Sequence, residues 1–110
     1  MARFTEYHRY DGLGLAELVR TKQVKPGELV EEAVGRIEEL NPTLNAVIFK
    51  MYERARELTA GDVLDGPFAG VPFLLKDLGA PCAGVPMSNG SRFHRGSIMD
   101  HDCEMVKRFK

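Results

Sequence analysis

Tryptophan is absent from this 110-residue chain, and only two cysteines, Cys82 and Cys103, are present. Two thiols without a CxxC spacing cannot make a disulfide framework or a cysteine-based zinc cluster, so free thiols in a reducing compartment are expected. No apolar run approaches the ~18 residues that crossing a bilayer requires, and MARFTEYHRY lacks the apolar centre of a secretion signal. The expectation is a cytoplasmic protein that does not engage a membrane. An excess of charge is missing too. Fifteen basic side chains face sixteen acidic ones, so no broad positive field is available to draw in nucleic acid. By size and composition the chain is one ordinary domain, long enough to bury a core without a metal or a staple.

What is present divides into two zones. Residues 12–60 carry helical periodicity. Leu15, Leu18 and Val19 recur at i, i+3 and i+4, which predicts a first helix ending near Thr21 to Gln23. Pro26 suits the first position of a second helix, where its missing N–H is not needed, and Glu28, Glu31 and Glu32 favour the positive end of the helix dipole. Leu29, Val30, Ala33, Val34, Ile37 and Leu40 form one stripe, and the charged residues between them read as a solvated face with a Glu32–Arg36 pair at i, i+4. This helix is expected to stop at Asn41-Pro42. Asn45 to Phe49 fits either a short strand or the lead into a third helix carrying Met51, Tyr52, Ala55 and Leu58.

Residues 61–97 hold seven of the eleven glycines and four of the six prolines, so loops dominate there. Within them Val71-Pro72-Phe73-Leu74-Leu75 is a continuous apolar run, as expected for a strand buried on both faces, with Pro72 at its entrance. Residues 100–110 read as the start of a further helix, with Asp100 or Asp102 as N-cap and Met105, Val106 and Phe109 on one side. The fold class expected is therefore α/β.

Lys76 ends the apolar run abruptly. In the plain reading the strand leaves the core and the ammonium reaches water. In the chemical reading a partly buried lysine, whose charged form is disfavoured by desolvation, serves as a general base toward a hydroxyl nucleophile. A phosphate loop is excluded, because Leu75 precedes Lys76 and Asp77 follows it where Gly-Lys-Ser/Thr is required. Asp100-His101-Asp102-Cys103, with His94 nearby, matches no common zinc spacing, and capping accounts for the acids, so no metal is expected. His8 reads as a surface or packing residue, and Cys82 as a small buried one.

The run Gly66-Pro67-Phe68-Ala69-Gly70-Val71-Pro72-Phe73-Leu74-Leu75-Lys76-Asp77 resembles the lysine motif of the amidase signature family. The flanks agree in order: Asn41-Pro42, Asn45-Ala46-Val47, the helix with Ala55, then Gly84-Val85-Pro86 and Gly90-Ser91. The resemblance covers nearly the whole chain and is nearest to the bacterial branch that includes the 6-aminohexanoate cyclic dimer hydrolase type. It implies a lysine-bearing strand of a mixed sheet in an incomplete domain, and hydrolysis of a small-molecule amide by a serine, cis-serine and lysine triad with no cofactor.

Lys76 matches the triad lysine. Asp77 is implied to support its loop by accepting hydrogen bonds, and Gly84 and Gly90 to be backbone hinges beside it, although a plain turn explains either glycine alone. The family places both serines in a downstream Gly/Ser-rich segment that does not appear before Lys110, and Ser88, Ser91 and Ser97 lack its pattern. The chain is thus expected to be inactive alone, as the N-terminal portion of such an enzyme. An A-subunit-like fragment of a tRNA-dependent amidotransferase, or a non-catalytic module joining a second copy or a complementing chain, are the alternatives.

Overall fold

The computed structural model describes residues 3–62 and 65–110. Residues 63 and 64, inside the expected Gly/Pro-rich region, and residues 1 and 2 lie outside the described residues. A 3-10 turn over Thr5–Arg9 precedes four helices: α1 (Gly12–Arg20), α2 (Pro26–Leu44), α3 (Tyr52–Ala60) and α4 (Glu104–Phe109). None of them is long and apolar enough to cross a membrane. The chain divides into two compact units, Met1–Pro72 and Phe73–Lys110.

In the first unit, the Asp11 carboxylate caps α1 by accepting from the Gly14 N–H at 2.7 Å. Pro26 opens α2, and the Glu28 carboxylate reaches back to the Lys25 N–H at 2.8 Å. Leu15 and Leu18 of α1 cluster with Val24 and with Leu29 of α2, and Phe4, Tyr7, Val19 and Val71 pack around them. Full burial of Leu29 contributes on the order of 2 kcal/mol, several times the worth of an exposed ion pair such as Arg9–Glu6. Gly70 stands at φ +81, and a Cβ there would come within 3.1 Å of Pro26 and of Val19. Only glycine fits that approach.

The second helix departs from expectation in two ways. It does not stop at Asn41-Pro42 but continues through Pro42 to Leu44. Pro42 sits in the last turn, so only the final part of the ladder lacks its N–H, and Asn45 at φ 49 then closes the helix in the left-handed conformation. The Asn41 side chain holds the exit, donating to the Val47 carbonyl and accepting from the Val47 N–H, both at 2.9 Å. Residues 45–51 have no regular structure and lead into α3, so the strand alternative for Asn45 to Phe49 is not realised. Leu40 and Leu44 remain 52% and 64% exposed, since the first residue of α3, Tyr52, meets α2 at Glu38 and the next contact, Arg56, lies further back at Glu31.

Glu32 is the second departure: expected on the solvated face, it is 1% exposed. The expected Arg36 pair forms at 2.9 Å, and Arg3 donates from the other side at 3.0 Å. Arg36 also reaches the Thr5 carbonyl, so one carboxylate ties the N-terminal turn to α2. Between α2 and α3, Arg56 bonds Glu31 at 2.6 Å, and the Tyr52 hydroxyl donates to Glu38 at 2.7 Å. Burial first, and that carboxylate second, push the Tyr52 phenol up to about 12.

The expected strand is not formed among the described residues. Residues 71–76 are without regular secondary structure, and Phe73 and Leu74 are 57% and 65% exposed rather than buried on both faces. A strand exists only through its neighbour's hydrogen bonds, and among the described residues the one β pairing is an isolated antiparallel bridge between Pro86 and Ile98. The α/β expectation is accordingly not met by the described residues, which are helices and loops. Neither aspartate caps α4: Cys103 is the N-cap residue, and no side chain caps it. Asp102 instead accepts from the Ala83 N–H at 2.8 Å and from the Lys110 ammonium. Lys110 first, then that amide, draw the Asp102 carboxyl down to about 2. Ala80, Cys82 and Val106 are the buried apolar residues of this unit.

The hydrogen bond from Arg3, ahead of the attraction of both guanidiniums and against burial, lowers the Glu32 carboxyl from its ordinary value of 4.5. Its folded value lies below its unfolded one, so this stabilisation is present above the unfolded value and is lost as pH falls through the folded value. Glu32→Gln is expected to lower stability by ~1–2 kcal/mol at neutral pH and to flatten the loss seen in acid, measured by urea unfolding at several pH values. A variant with wild-type stability and wild-type acid dependence contradicts this role.

Candidate functional site

Lys76 ends the irregular stretch 71–76 and is exposed. Among the described residues it has no hydrogen-bond or ion-pair partner. Its neighbour Asp77 has a hydrogen bond on each carboxylate oxygen. One carboxylate oxygen accepts from the Ser88 N–H at 2.7 Å, and the other accepts from the Ser88 hydroxyl. These two bonds, hydroxyl first, hold the Asp77 carboxyl below its ordinary 3.8. The Asn89 side-chain oxygen accepts from the Gly79 N–H at 3.2 Å, so the segment 77–79 and the turn at 88–91 bind each other in both directions.

That turn is built by its sequence. Asn89 at φ 52 and Gly90 at φ 72 occupy the central positions, and the Ser91 N–H closes onto the Ser88 carbonyl at 2.9 Å. Positive φ at both positions marks a type I′ turn, which Asn-Gly favours. The Gly90 N–H also donates to the Ser88 Oγ at 3.4 Å. Gly84 at φ +78 is the third residue of another turn, Cys82 to Val85, closed at 3.1 Å. From there a narrow strip runs back: the Gly84 N–H donates to Met99, Met99 to Val85 and Met87 to Ser97, at 2.9, 3.1 and 3.0 Å. The Cys103 N–H then donates to the Pro81 carbonyl at 3.0 Å, joining the strip to the start of α4.

The structure therefore brings Asp77 and Gly90 together around Ser88, next to Lys76 in the chain. Gly84 lies at the opposite end of the strip. Sequence reasoning misses Asn89 and weighs Ser88 only as a nucleophile. The Ser-Asn-Gly turn composition is the signal that points to both. Ser88 donates to Asp77, the Ser91 Oγ accepts from the Phe93 N–H at 3.2 Å, and the Ser97 carbonyl accepts from Met87 within the strip. His8 is exposed, with its Nδ1 3.5 Å from Arg36, and Cys82 is buried. Among the described residues no three His, Cys, Asp or Glu side chains gather as a metal site.

The amidase family profile matches residues 28–110, and the chain belongs to that family. The 6-aminohexanoate-cyclic-dimer hydrolase of Paenarthrobacter ureafaciens is 36% identical over 102 residues, which is 91% of this chain and 20% of that protein. The lipoamidase of Enterococcus faecalis is 41% identical over 105 residues, 93% of this chain and 14% of that protein. A glutamyl-tRNA(Gln) amidotransferase subunit of Methylacidiphilum infernorum is 33% identical over 100 residues, 87% of this chain and 19% of that one. The chain thus spans a fifth or less of the length of these relatives. No solved structure matches it.

Without its carboxylate acceptor, the turn at Ser88 loses its bridge to residue 77. Asp77→Ala is expected to speed hydrogen exchange of the Ser88 amide about tenfold or more, read by nuclear magnetic resonance, and to leave the α2 amides unchanged. Unchanged exchange at Ser88 contradicts the geometry.

Proposed function

We propose that this chain is the lysine-bearing, N-terminal portion of an amide hydrolase whose two serines lie outside residues 1–110. The observation that carries the reading is the Gly66-to-Asp77 motif, which falls within the matched residues 28–110 of a chain that belongs to the amidase family. Lys76 is the catalytic lysine. Unprotonated, it takes a proton through the bridging serine while the nucleophilic serine attacks the amide carbonyl. It returns that proton to the departing amine as the C–N bond breaks, and water then releases the acid from the acyl serine.

No cofactor enters this chemistry. Among the described residues Lys76 has no ion-pair partner, so its amine is open to a serine supplied from outside residues 1–110. The backbone of residues 71–76, which pairs with no strand among the described residues, is the lysine strand once sheet neighbours from the remainder of the enzyme lie beside it. Asp77 supports the lysine loop, with Gly84 and Gly90 shaping the turns around it. Small-molecule carboxamides are the substrate class, in agreement with relatives named for hydrolysis of a cyclic dimer and for lipoamide cleavage. The cytoplasm is the compartment that two thiols without a CxxC spacing favour. The amidotransferase relative favours a second reading, in which the chain is part of such a transferase and works with partner chains.

The 110-residue chain alone is expected to hydrolyse no amide above buffer. In the amidase that carries it, Lys76→Ala is expected to lower kcat at least ~100-fold while folding is retained. Robust turnover by the isolated chain, abolished by Lys76→Ala, overturns the placement of the serines. Wild-type turnover in the Lys76→Ala enzyme overturns the role of the lysine. Glutamine hydrolysis that emerges only with partner chains favours the second reading.

A further inference from the structure

The aspartate next to Lys76 poses an electrostatic problem for a lysine base. Asp77 is the anion that adjoins Lys76 in the chain, and an ion pair with it favours the charged, non-basic form. In the structure that pair is not made. Both Asp77 oxygens are taken by Ser88, one by its N–H at 2.7 Å and one by its hydroxyl, and Lys76 has no ion-pair partner among the described residues.

Ser88 is itself held in place. The Asn89-Gly90 turn locks its carbonyl through Ser91, the Gly90 N–H rests on its hydroxyl oxygen, and the Met87 N–H before it is bound to Ser97. The Asn89 bond to Gly79 closes the connection from the other side. Lys76 is thus followed at once by a backbone segment whose course is fixed by three hydrogen bonds to one turn.

We propose that Ser88 is a positioning residue for Lys76: its hydroxyl and amide sequester the Asp77 carboxylate, which aims the lysine's backbone and keeps its amine from being captured by its neighbour. The proposal rests on the reading of Lys76 as the catalytic lysine. It gives Ser88 a role distinct from that of a nucleophile, since the hydroxyl keeps its proton and directs it to Asp77.

The test is steady-state amide hydrolysis by the amidase carrying this segment, with Ser88→Ala, Ser88→Thr, Ser88→Ala/Asp77→Asn and Lys76→Ala compared. Ser88→Ala is expected to lower kcat about tenfold with KM within about twofold, Ser88→Thr to restore kcat, and adding Asp77→Asn to Ser88→Ala to recover part of the loss. In the 110-residue chain, the Asp77 carboxyl carbon resonance is expected to move in Ser88→Ala and to stay in Ser88→Thr, a readout that survives if the larger variant does not fold. Wild-type kcat in Ser88→Ala, equal losses in Ser88→Ala and Ser88→Thr, or an unmoved Asp77 resonance overturns the proposal. If Lys76→Ala is inactive while Ser88→Ala is wild type, only this inference fails. An active Lys76→Ala enzyme removes the reading beneath it as well.

Discussion

An extended backbone cannot satisfy its own hydrogen bonds, and that constraint shapes the part of this chain where chemistry is expected. Residues 71–76 lack regular secondary structure, and no neighbouring strand is at hand among the described residues. Phe73 and Leu74 are left exposed as a result. The second unit is held instead by side-chain caps and turns: Asp77 on Ser88, Asn89 on Gly79, Asp102 on Ala83, and the strip between residues 84–87 and 97–99. The unit thus depends on many small terms and a small apolar core.

The first unit has a different balance. Its apolar cluster is centred on Leu29, and a buried carboxylate ties the N-terminal turn to the long helix. Lys76 belongs to the second unit, and the residue that follows it is bound by Ser88. A motif usually read as strand plus lysine is, within this chain, a lysine leading into a capped loop.

Much of the helical zone is legible in the sequence because its signals are local. Pro26 at a helix start, the three-to-four spacing of Leu15 and Leu18, and the Glu32–Arg36 pair depend on residues a turn apart. Pro42 misleads because a proline in a last turn removes little of the ladder, while the left-handed Asn45 sets the true end. Glu32 is not legible as buried, since its second partner, Arg3, is 29 residues away. The site is legible to the same degree. Lys76 and Asp77 stand in a specific motif, and Asn89-Gly90 is a turn signal, but the bond that joins them spans eleven residues and follows no sequence period. The strand is legible as an apolar run but not as a paired one, since pairing is a property of the neighbour as well as of the run.

That this chain supplies the lysine of a triad whose serines come from elsewhere is the central claim, and a crystal structure of the amidase carrying it is the most direct test. Residues 71–76 are expected to be paired in a sheet there, with the Lys76 Nζ within about 2.6–3.2 Å of a serine hydroxyl from outside residues 1–110. A Lys76 that faces solvent with no such serine in reach, or that contacts Ser88, Ser91 or Ser97 as its catalytic partner, would contradict the claim.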